Sequence, residues 1–113
     1  MRGLVRSALE TDGYEVLESP DGRQALAVLE TVRPDLVITD INMPDMDGIS
    51  LLRAIRRLPA SQSTPVLILT TESDDVVKAT ARAAGATGWI GKPFDPEQLR
   101  HVVAEVFRRW KAR

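Results

Sequence analysis

The chain has 113 residues, enough for one hydrophobic core, and a single domain over 1–113 is expected. With 43% hydrophobic and 27% charged residues it reads as a folded, soluble chain rather than a disordered one. A net charge of -1 offers no basic excess for nucleic acid or a membrane surface, and no apolar run is long enough to cross a bilayer. The absence of cysteine rules out a disulfide framework, a thiol nucleophile and a thiolate metal site. Together with the lack of a secretory signal pattern, it fits a cytoplasmic location.

Leu4, Val5, Ala8 and Leu9 recur at helical spacing, so a helix is expected first, ended by Asp12-Gly13. Glu15–Glu18, with Val16 and Leu17 at its centre, reads as a short strand. Ser19-Pro20-Asp21-Gly22 turns into a second helix, with Ala25, Leu26, Leu29 and Val32 inward and Pro34 closing it. Leu36–Thr39 is a buried strand that runs into a Pro/Asp/Gly-rich loop. A third helix follows Gly48, with Leu51, Leu52, Ile55 and Leu58 inward and Pro59 as its stop. Val66–Leu69 is a fully apolar strand. Ser73 is the expected N-cap of a fourth helix, with Asp74 and Asp75 at its positive end. That helix is alanine-rich (Ala79, Ala81, Ala83, Ala84), so it is expected to bury little and to be mobile; Gly85 ends it. Thr87–Gly91 is the last strand, and Asp95-Pro96-Glu97-Gln98 starts the last helix. Leu99, Val102, Val103, Val106, Phe107 and Trp110 give that helix its apolar stripe. Strands alternating with helices imply a parallel sheet covered on both faces.

The carboxyl ends of parallel strands are where ligands and chemistry collect in open α/β sheets. Three strand ends bring Asp40, Thr70 and Lys92 to one rim. A carboxylate there can attack phosphorus and form an acyl phosphate, while a hydroxyl and an ammonium hold the new oxygens. Each residue alone has a blander reading: a turn-capping Asp, a turn Thr, a solvated Lys before Pro. Capping explains Asp45 or Asp47 well and Asp40 poorly, and the joint placement of the three is what points to phosphoryl chemistry. His101, on the last helix, reads as a surface residue rather than a phosphodonor.

Asp40 with Asn42-Met43-Pro44 and Asp47-Gly48, Thr70 with Glu72, and Lys92-Pro93-Phe94 resemble the receiver domain of two-component response regulators, most closely single-domain CheY-like proteins. The resemblance implies a flavodoxin-like, CheY-like fold and a signalling protein rather than an enzyme. Asp40 would be the phosphoacceptor, charged by a sensor histidine kinase, and Mg2+ would sit on Asp40 and the Asn42 backbone carbonyl. Thr70 would bind the phosphoryl group and shift on activation. Lys92 would pair with that group and form a cis peptide with Pro93. Trp89 matches the family's aromatic switch position, for which ordinary half-buried packing is the competing explanation. A downstream target protein would be met by the fourth helix, the Thr87–Gly91 strand and the last helix. A chemotaxis role follows from the single-domain likeness alone.

The sequence departs from the family at its start. The family's first strand, with an acidic pair that binds Mg2+, has no counterpart here, and Asp12 lies at the wrong end of its helix to substitute. Metal affinity is therefore expected to be poor. About five buried apolar residues at ~1.5–3 kcal/mol each would be missing, comparable to the ~5–15 kcal/mol stability of a whole domain. Four strands per chain are expected, with three ways of closing the gap: a natural start upstream of Met1, a homodimer that fills the slot, or a rearranged sheet with the Val16-Leu17 strand beside Leu36–Thr39. A phosphorylation-independent interaction module is the alternative function. A flavodoxin-like FMN protein would need a phosphate loop rich in Ser, Thr and Gly after the first strand, and none is present.

Overall fold

The computed structural model describes residues 2–19, 21–40, 47–70 and 75–111. The chain forms two compact units, Ser19–Lys92 on one hand and Met1–Glu18 with Pro93–Arg113 on the other.

In the 19–92 unit, Asp21 caps the helix α2 (Gly22–Leu29), its carboxylate accepting the Gln24 N–H at 2.9 Å. The helix stops before Val32, the last residue of the expected apolar stripe. Glu30 and Thr31 close the last turn with i−3 bonds to Ala27 and Val28, and Pro34 bars helical backbone at Arg33. Three parallel strands follow, β1 (Val37–Asp40), β2 (Val66–Thr70) and β3 (Gly88–Gly91), in the order β1-β2-β3. Asp40 lies opposite Leu69, Leu69 opposite Ile90, and Thr70 opposite Gly91. All five β2 residues are buried, as an apolar run in a central parallel strand should be.

Between the strands run α3 (Gly48–Arg57) and α4 (Asp75–Ala83). Asp47 caps α3, accepting the Ser50 N–H at 2.8 Å, which holds its carboxyl below the usual range. Pro59 ends α3 in a 3-10 turn, Pro59–Ser61. Leu51, Leu52 and Ile55 of α3, Val66 and Ile68 of β2, and Ala81 of α4 form the core, flanked by Ala25, Leu26 and Leu29 of α2 and by Trp89. Helices α2, α3 and α4 thus cover the sheet face that carries Val66, Ile68 and Trp89. The fourth helix buries only Ala81, as its composition implied. Arg56 locks this layer from within. Its guanidinium donates to the Gly85 carbonyl twice, at 2.7 and 3.2 Å, and to the Ser61 carbonyl at 3.0 Å. Gly85, at φ +108, has no room for a Cβ beside Arg56.

The other unit pairs α1 (Arg2–Thr11) with α5 (Pro96–Lys111). Asp95 caps α5, accepting the Gln98 N–H at 2.7 Å as the sequence indicated. Arg100 grips Asp12 with two bonds of 2.6 and 3.0 Å. Tyr14 and Phe107 meet with ring centroids 5.4 Å apart.

Two expectations are corrected. The described residues form three strands, not four: Glu15–Glu18 is irregular, and Leu17 is 60% exposed. The rearranged sheet, with Val16-Leu17 beside the Asp40 strand, is therefore not formed. A strand persists only where a neighbour satisfies its N–H and C=O groups, and no described residue supplies one to this segment. The Ser73 cap, Asp74, Glu72 and Asn42 lie outside the described residues. Among the described residues no helix is long and apolar enough to cross a membrane.

Candidate functional site

The parallel register puts the carboxyl ends of β1, β2 and β3 at one edge. Asp40 is the last residue of β1, Thr70 the last of β2, and Lys92 follows β3 directly. Side chains alternate across a strand, so Asp40 shares a sheet face with Leu69 and Ile90, and Lys92, two residues past Ile90, returns to it. The Lys92 ammonium there forms an ion pair with Asp40 Oδ1 across the intervening strand. The Asp40 and Lys92 side chains are 28% and 22% exposed, whereas Oδ1 itself is sealed from solvent, and among the described residues its partner is the Lys92 ammonium. An anionic oxygen in that position is costly unless a cation compensates it, and Lys92 does so. The pair is also held through the backbone: the Lys92 N–H donates to the Thr70 carbonyl at 2.8 Å. The Thr39 hydroxyl donates to the Asp40 carbonyl at 3.0 Å, fixing the strand end from β1's own side.

Thr70 reaches the same edge but belongs to the other face of the pleat, and it is buried. It lines a small recess with Ile68, Val77, Lys78, Ala81 and Trp89. So Asp40 and Lys92 are in contact, while Thr70 joins them through the main chain and shares its recess with the predicted switch residue. Trp89 is half-buried, and its ring lies 5.6 Å from Lys78 Nζ and 5.1 Å from Arg82 Cζ. His101 is exposed on α5, as expected.

Sequence reasoning missed Lys78 and Arg82. Their i, i+4 spacing was visible, but their meeting with Trp89 depends on how α4 lies on β3. Arg56 was missed for the same reason: its partners are carbonyls, which leave no trace in side-chain identity.

Mg2+ asks for a near-octahedral set of oxygens, usually including one or two carboxylates. Among the described residues no three His, Cys, Asp or Glu side chains come together as a metal-binding group. Among the described strand-end residues Asp40 supplies the carboxylate, and a cation occupies one of its oxygens. The described donors do not by themselves fit Mg2+.

A parallel α/β sheet with an acid and a lysine paired at its carboxyl edge has the flavodoxin-like architecture of the CheY fold. Chemotaxis response regulator CheY4 of Vibrio cholerae superposes with a TM-score of 0.89 at 43% identity, over 93% of this chain and 88% of that one. The response regulator receiver domain model matches residues 1–104, and the chain belongs to that family. It is a receiver of two-component signal transduction, a class that interacts with sensor histidine kinases. Over 106 residues it is 33% identical to the alkaline phosphatase synthesis transcriptional regulatory protein PhoP of Bacillus subtilis, covering 94% of this chain and 43% of PhoP. The chain thus spans less than half the length of that curated relative. The receiver domain of sensor histidine kinase PA1611 from Pseudomonas aeruginosa, solved with a magnesium ion coordinated in its active site cleft, aligns with a TM-score of 0.82 at 27% identity, over 92% and 85% of the two chains.

Proposed function

We propose that this receiver accepts a phosphoryl group on Asp40 from the phosphohistidine of a sensor histidine kinase. The observation that supports it is the Asp40–Lys92 ion pair at the carboxyl edge of the parallel sheet. Lys92 engages the sealed Oδ1, which leaves the other carboxylate oxygen to attack. A new O–P bond forms as the N–P bond of the phosphohistidine breaks, and the imidazole leaves with the bonding pair and takes up a proton. The product is an acyl phosphate on Asp40. Lys92 then faces the added negative charge, and Thr70, at the end of the neighbouring strand, is the hydroxyl assigned to follow it. On this reading Asp40 is the target of a kinase and the chain is not an enzyme acting on a separate substrate.

Downstream, a target protein reads the α4–β3 surface through Thr70 and Trp89, which share one recess. Mg2+ at Asp40 and the Asn42 carbonyl belongs to the same reading, with weak affinity, and so does a cytoplasmic location. A chemotaxis output is the narrower proposal that the likeness to CheY4 supports. Among the described residues β1 has a strand on one side only, and pairing of two copies there is the proposed route to a homodimer. Light scattering that gives a monomer at working concentrations removes it.

Incubation with acetyl phosphate, with and without Mg2+, followed by intact mass, tests the main reading. A gain of one phosphoryl group by the parent and none by Asp40→Asn is expected. No gain by the parent overturns it, and partner binding indifferent to Asp40→Asn would then favour the phosphorylation-independent module.

A further inference from the structure

We infer that Lys78 and Arg82 are positioning residues for Trp89: together they hold its ring out of the recess that it shares with Thr70. The inference rests on the reading of Trp89 as the residue that reports the state of Thr70. Lys78 and Arg82 stand one turn apart on α4, and both charged groups lie within the range at which a cation is attracted to an aromatic face, 5.6 and 5.1 Å from the ring centroid. Neither cation has a carboxylate partner among the described residues, so the ring is the feature of this unit that engages both. The ring is half-buried over the recess lined by Ile68, Thr70, Val77, Lys78 and Ala81.

A ring that moved toward Thr70 would leave the charged ends of Lys78 and Arg82 for an apolar lining, of which the Lys78 stem is itself a part. The electrostatic attraction is lost in that exchange, while the apolar contact is largely retained. Each contact at a partly exposed site biases the ring position by roughly 2–5-fold, and two acting together by roughly 5–30-fold. By linkage, whatever draws the ring inward must overcome that bias, so the cations oppose the phosphorylated conformation. Neutralising them should shift the resting ring population inward and, through Thr70, ease phosphorylation.

The test uses the Trp110→Phe background, which leaves Trp89 as the single indole, and follows its N–H resonance by NMR. Lys78→Met/Arg82→Met keeps the aliphatic cover and removes the charge. Its resonance in untreated protein is expected to move toward the position the parent adopts with acetyl phosphate, and the single variants to move part of the way. Lys78→Arg/Arg82→Lys retains both charges and should stay at the parent position. An unshifted resonance in the double Met variant overturns the inference, as does an equal shift in the charge-swapped variant. A parent that takes no phosphoryl group refutes the phosphoacceptor reading instead, and the comparison in untreated protein still decides whether the cations position the ring.

Discussion

Replacing Lys92 with Met removes the ammonium and keeps most of the side chain's length, which isolates the charge. Asp40 Oδ1 is then left sealed from solvent without its ionic partner. Removing one partner of a fully buried pair costs about 3–5 kcal/mol, whereas exposed pairs contribute about 0–1 kcal/mol. With side chains 28% and 22% exposed and one oxygen fully enclosed, an intermediate loss of about 1–3 kcal/mol is expected near neutral pH. For a urea slope of about 1–3 kcal/mol/M, the unfolding midpoint falls by on the order of 1 M. The assay is urea unfolding followed by circular dichroism for the parent, Lys92→Met, Asp40→Asn and the double variant. If the two groups interact, Asp40→Asn offsets much of the cost of Lys92→Met, because a neutral amide in that position no longer needs a cation. A coupling energy of about 1–2 kcal/mol is predicted from the cycle. Strict additivity, within about 0.3–0.5 kcal/mol, would refute the ion pair as an energetic unit.

Two further predictions concern the frame around the site. Arg56→Met forfeits three hydrogen bonds to the Ser61 and Gly85 carbonyls and should cost about 1–3 kcal/mol in the same unfolding assay. Gly85→Ala forces a side chain into φ +108, with its Cβ 2.8 Å from Arg56 Nε, and should cost about 1–3 kcal/mol. Combining the two should cost less than their sum, since the closest contact, with Nε, goes with the guanidinium. In the α1–α5 unit, the hydrogen bonds from Arg100 hold the Asp12 carboxyl below its ordinary value of 3.8. A carboxyl depressed in the folded state contributes stability in full above its unfolded pKa, and the contribution is lost as pH falls through the folded value. Arg100→Gln should therefore be less stable than the parent near neutrality, and the gap should narrow as pH falls below 3.8 and through the depressed value that Asp12 has in the folded parent. A gap that is flat with pH would contradict this assignment.

The elements that proved legible in the sequence are those whose signal is local. Val66–Thr70 reads as a strand because nothing polar interrupts it. Asp47 and Asp95 announce their helices because a capping carboxylate needs only the N–H three residues on. Asp40 and Lys92 were placed at one edge by topology alone, since consecutive parallel strands end on the same side. The features that escaped depend on how layers pack. Val16-Leu17 has the composition of a strand, but composition cannot supply the neighbour that a strand needs. The pleat separates Thr70 from the face of Asp40, and that follows from register, which single-strand patterns do not encode. Lys78 and Arg82 read as ordinary surface charges until α4 is laid against β3.

Where the phosphoryl group goes decides whether Asp40 is the phosphoacceptor. Borohydride reduction of acetyl-phosphate-treated protein converts an acylated aspartate to homoserine, and fragmentation of the peptide then locates it. Conversion is predicted at Asp40 and absent from Asp35, Asp45 and Asp47 in the same stretch. Conversion at any of those neighbours with Asp40 intact, or no conversion at all, would contradict the central claim.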